Sequence, residues 1–126
     1  MNVWAILLAA VSSFLLGGLW YSPVLFGRRW NEANGGVRPP AHPGRVFAIS
    51  FLFSLVAAVA FAWLLGPSPQ LLPALTTGLL VGAGFVAASF GINYQFAQRS
   101  MALWLIDGGY HVVQFVLFGL VLGLLD

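Results

Sequence analysis

Two ionisable side chains, Asp107 and His111, stand four residues apart in an otherwise nearly apolar stretch from residue 101 to 124. On a helix that spacing puts both groups on one face, and Gln114 continues the face about one turn further. A carboxyl and an imidazole so placed can exchange a proton near neutral pH, hold a polar ligand, or tie two helices together. Inside a bilayer ionisable groups are costly, so each is a site candidate by default, against the plainer role of fixing helix register. Asn93 and Tyr94 in the preceding apolar stretch, and Tyr21 at the end of the first, fall at a similar depth. The candidate ligand or proton site is therefore Tyr21, Asn93, Tyr94, Asp107, His111 and Gln114. A metal centre is not expected, because Asp107 and His111 supply only two ligands and His42 lies in a separate loop. Ser12 and Ser13 have no base beside them and read as helix-packing residues, so no catalytic residue and no cofactor is expected.

The elements that position these residues follow from composition. Of 126 residues, 60% are hydrophobic and 6% charged, whereas soluble domains carry about 25% charged residues. A water-facing surface cannot be built from so few charges, which excludes a soluble enzyme and a disordered tail alike. Five cations give a net charge of +2, too few for the basic face of a nucleic-acid binder. There is no Cys, which removes disulfides and thiolate chemistry.

About 20 apolar residues cross a bilayer as a helix. Four such segments are present, at roughly 3–21, 46–65, 73–96 and 101–124, giving one all-α, four-helix up-down membrane domain over 1–126. The first lacks Lys and Arg ahead of it, unlike a cleaved signal peptide. Gly66-Pro67-Ser68-Pro69 breaks the middle run, and Gln98-Arg99-Ser100 joins the last two spans. The segment from Arg28 to Arg45 is rich in Gly and Pro and reads as an irregular loop. All five Arg fall in the 28–45 and 98–100 loops, so the positive-inside rule puts those loops in the cytoplasm and both termini outside. Trp20, Trp30 and Trp104 read as interfacial anchors, with Arg28 and Arg29 against lipid headgroups.

Helices in lipid associate through small residues. Seams at four-residue spacing occur on every span: Ala5, Ala9, Ser13 and Gly17; Ser50, Ser54, Ala58, Ala62 and Gly66; Ala74, Gly78 and Gly82, then Gly84, Ala88 and Gly91 on a neighbouring face; Gly119 and Gly123. They favour a tight bundle and, for so small a chain, a homo-oligomer or a larger membrane complex. A faint duplication pairs Gly18-Leu19-Trp20-Tyr21 with Gly91-Ile92-Asn93-Tyr94, as expected of two helical hairpins related by an axis along the membrane normal.

The run Gly18-Leu19-Trp20-Tyr21-Ser22-Pro23-Val24-Leu25-Phe26-Gly27 followed by Trp30 resembles the signature of the bacterial membrane family called domain of unknown function 1761. Ile106-Asp107-Gly108-Gly109-Tyr110-His111 is similar to its last-helix motif, and Asn93-Tyr94 to its third-helix one. The resemblance covers nearly the whole chain. It implies a four-helix protein of the bacterial cytoplasmic membrane without an assigned activity. The leading expectation is a non-enzymatic packing or accessory subunit. The alternative is a dimeric proton-coupled transporter of a small lipophilic or cationic solute using Asp107 and His111. A third is a membrane-embedded enzyme acting on a lipid or quinone.

Overall fold

The computed structural model describes residues 2–36 and 42–126. The chain forms α1 (Val3–Trp20), α2 (Gly27–Ala33), α3 (Pro43–Leu65), α4 (Leu71–Leu79), a π-helical segment (Leu80–Ala87), α5 (Ala88–Phe96) and α6 (Met101–Leu125). α4, the π segment and α5 run on as one rod, so four helices are long and apolar enough to cross a membrane. The four expected spans are all present. The largest boundary difference is at α3, which begins at Pro43 rather than residue 46. There proline occupies the first turn, where its missing N–H costs nothing, and the His42 ring accepts from the Arg45 N–H at 3.2 Å.

The segment expected to be irregular instead opens with α2. Its sequence Gly27-Arg-Arg-Trp-Asn-Glu-Ala33 contains no proline, and the breakers begin only at Gly35 and Gly36, both at positive φ. The stretch 37–41 lies outside the described residues. A tight turn sends α2 back towards the bundle. The Phe26 N–H donates to the Trp20 carbonyl at 3.0 Å and the Gly27 N–H to the Ser22 carbonyl at 2.9 Å. A Cβ on Gly27 would stand 2.3 Å from the Tyr21 carbonyl oxygen, so only glycine permits this turn.

α6 is the centre of the bundle, packed against α1 on one side and along the third span on the other. The second contact is backbone against backbone. A Cβ on Gly78 would lie 2.3 Å from the Phe115 carbonyl oxygen, and one on Gly119 equally close to that of Ala74. α3 lies on the far side of α1, meeting it through Ser54, Ala58 and Ala62, which are buried. Near the termini α3 also reaches α6, where Phe61 meets Phe115 and Phe118 with ring centroids 5.6 and 6.3 Å apart. Towards the opposite end, where the arginines cluster, α3 is held to α1 by Phe14 edge-on to Phe47 and Phe51. α3 does not pack along the third span, and a wedge of space remains between them.

Both ends of the bundle are tied. The Asn2 side chain accepts from the Trp4 and Ala5 N–H groups and donates to the Leu125 carbonyl at 3.1 Å, closing α1 and α6 together. At the arginine end, the Arg99 guanidinium donates to the Asn34 side-chain oxygen beyond α2.

Candidate functional site

Asp107 is buried on α6, and its two carboxyl oxygens accept three hydrogen bonds. The Tyr21 hydroxyl donates to Oδ1 at 2.6 Å and the Trp30 indole N–H donates to the same oxygen at 2.9 Å. The Tyr94 hydroxyl donates to Oδ2 at 2.5 Å. One carboxyl group therefore joins the end of α1, α2, α5 and α6. The signature around residues 18–30 gains a physical meaning here. Trp20 donates its indole N–H to the Ile106 carbonyl at 2.9 Å, Tyr21 reaches Asp107, and the glycine turn brings Trp30 to the same acceptor. The two tyrosines of the paired Gly-x-x-Tyr tetrapeptides converge on the two oxygens of this single side chain.

His111, one turn along, has different partners. Its Nδ1 lies 2.7 Å from Gln114 Oε1, and Gln114 Nε2 donates to Ser13 Oγ at 2.9 Å. Ser13 Oγ is 3.1 Å from Ser54 Oγ, which donates to the Ala10 carbonyl at 3.3 Å. The Gln114 amide sets the direction of the links on either side of it, because its oxygen can only accept and its nitrogen can only donate. Gln114 Nε2 donates to Ser13, and the His111 Nδ1–H donates to Gln114 Oε1, while either serine hydroxyl can be the donor between Ser13 and Ser54. The neutral imidazole thus carries its proton on Nδ1. Its Nε2 lone pair has no hydrogen-bond partner among the described residues.

The wedge beside α3 is a half-open cavity of about 740 Å³, within the size range of small-molecule sites. Phe14, Phe47, Phe53 and Phe115 give it apolar walls, with Ser50, Val86 and Ala57 between them. His111, Gln114 and Tyr110 line it from α6 and Tyr21 from the end of α1, whereas Asp107 does not line it. The Tyr110 hydroxyl is turned away to the Ser13 carbonyl at 3.0 Å. Phe90 and Tyr110 meet the His111 ring edge-on, each at 4.9 Å between centroids, and fix its plane.

The six candidate residues therefore separate into two groups and an outlier. Tyr21 and Tyr94 gather on Asp107, Gln114 gathers on His111, and Asn93 is exposed with no side-chain hydrogen bond among the described residues. Asp107 and His111 share a helix face but no hydrogen bond. Ser13, Ser54, Tyr110 and Trp30 belong to these networks and were not legible as such. Trp30 and Tyr110 carried a hint, through their places in the two motifs. Trp104 likewise donates to the Ala87 carbonyl, at 2.8 Å, where the π segment ends. The indoles of Trp20, Trp30 and Trp104 are thus all bonded within the chain, while Arg28 and Arg29 are exposed.

No curated protein and no solved structure matches the chain. A family model described as "Protein of unknown function (DUF1761)" matches residues 4–123. That match takes in the turn after α1, the Tyr94 region and the Asp107–His111 face, and the chain belongs to the DUF1761 family.

Proposed function

We propose that this chain is a small intramembrane binding protein for a lipophilic molecule, held in the cavity between α3 and α6. The observation that carries this reading is the 740 Å³ space itself, with apolar walls and an unpartnered imidazole nitrogen. Tightly packed membrane helices leave no such volume unless something fills it, since lining atoms without neighbours lose dispersion contacts. The gap between α3 and the third span supports passage of the ligand sideways from the lipid. The role is binding rather than bond-breaking, because the hydroxyls nearest His111 already donate elsewhere. The asymmetry of arginine supports a cytoplasmic position for the end of the bundle that holds the cavity.

The accessory-subunit reading drew its support from the small-residue seams. Most of their residues on α1, α3, α4 and α6 are covered by other helices of the same chain, leaving Ser50 on the cavity wall and Gly84 and Ala88 on an open face. Proton-coupled carriage of the bound molecule is favoured by one observation, that His111 lines the cavity. It predicts proton flux in liposomes that depends on His111, not on Asp107.

Native mass spectrometry of the protein extracted from its own membranes in mild detergent tests the binding reading. Wild type should carry a small-molecule adduct that a Ser50→Trp variant, filled at the cavity wall, lacks. Stoichiometric foreign subunits with no small-molecule adduct would overturn it in favour of the accessory subunit.

A further inference from the structure

Resting on the binding reading above, we infer that the cavity selects an uncharged lipophilic molecule with a hydrogen-bond-donating head, such as a phenol or an alcohol. The inference comes from an inventory of polar atoms on the wall. The Tyr21 hydroxyl donates to Asp107, that of Tyr110 to the Ser13 carbonyl, and that of Ser54 to the Ala10 carbonyl. The Gln114 amide donates to Ser13 and accepts from His111. These donors are committed, and only the Ser50 hydroxyl, which can donate or accept, has no partner among the described residues. His111 presents Nε2 as a bare acceptor, because the Gln114 oxygen, itself oriented by the amide's bond to Ser13, holds the ring proton on Nδ1.

A ligand that donates satisfies this nitrogen. A ligand of the same shape that only accepts sets one lone pair against another and leaves both groups unsolvated. A ketone, ester or ether is thereby disfavoured against the matching alcohol. The aromatic walls of Phe14, Phe47 and Phe53 accept a ring or an alkyl chain equally, so discrimination lies at the head. His111 is the group that contacts the ligand. Gln114 is the positioning residue acting through it.

The test is competition between 4-octylphenol and its methyl ether, 4-octylanisole, supplied in equal amounts to the full chain in mild detergent. Adducts are counted by native mass spectrometry. The phenol adduct should outnumber the ether adduct about tenfold, the loss typical of an unmade buried hydrogen bond. His111→Phe should bring the ratio of the two adducts to about one. Gln114→Met, which frees the imidazole to carry its proton on either nitrogen, should lower the ratio, and serves in its place if His111→Phe does not fold. Equal binding of the two probes by wild type, abolished by Ser50→Trp, would overturn the donor rule and leave the cavity reading standing. Absence of both adducts would overturn the two together.

Discussion

The two sides of α6 are built on opposite plans. Towards the third span, Gly78 and Gly119 remove side chains altogether and the two backbones touch. Towards α3, phenylalanines brace the two helices near the termini and leave the other end apart. The polar groups follow the same division. Asp107 has all its partners supplied by the protein, whereas His111 is bonded through one nitrogen and bare at the other. Two ionisable residues one turn apart thus serve different ends: one closes the fold and the other faces the space that the fold leaves. The carboxyl is held by three donors and does not line the cavity, while the ring that does line it has a nitrogen without a partner among the described residues.

Substitution at these two residues is the sharpest way to break the comparison. Asp107→Leu should lower the unfolding free energy in mixed micelles by about 4 kcal/mol, because two phenols and an indole lose their acceptor at once. His111→Leu removes a single link and should cost about 1 kcal/mol. Equal losses would mean that His111 is as structural as Asp107. The seams come next. Gly119→Ala drives a Cβ to 2.3 Å from the Ala74 carbonyl oxygen and should cost about 3 kcal/mol, through forced separation of the helices. Gly17→Ala, whose Cβ would meet only the Tyr110 ring at 3.4 Å or more, should change stability by under about 0.5 kcal/mol. A costly Gly17→Ala would show that the cavity side of α1 is as tight as the glycine side.

Smaller effects sharpen the picture. Trp30→Phe keeps the ring against Tyr21 but loses the indole bond to Asp107, and should cost about 1 kcal/mol. Its signature is local: hydrogen exchange should rise in Gly27–Ala33 and not in α6. Ser54→Ala removes the bond to the Ala10 carbonyl and the contact with Ser13, and should cost a little less. Unchanged exchange in α2 after Trp30→Phe would mean that the glycine turn, not the carboxyl, holds that helix.

The amino-acid sequence alone determined the spans, their order and the glycine seams. Hydropathy along a chain and small residues at one-turn spacing are local properties, and lipid imposes a fixed length on any helix that crosses it. It also singled out Asp107 and His111, since a bilayer penalises ionisable groups wherever they stand. Their pairing was the expectation that spacing encouraged, and tertiary structure decided otherwise. Sharing a helix face puts two side chains near each other, but their hydrogen bonds go to whichever neighbour presents the better partner. Here those partners come from Tyr21 and Trp30, 86 and 77 residues away along the chain, and from Ser13, 101 residues from Gln114. The cavity was equally invisible in one dimension. It exists because α3 touches α6 at one end only, a matter of where Phe61, Phe115 and Phe118 meet and where no counterpart meets Phe53.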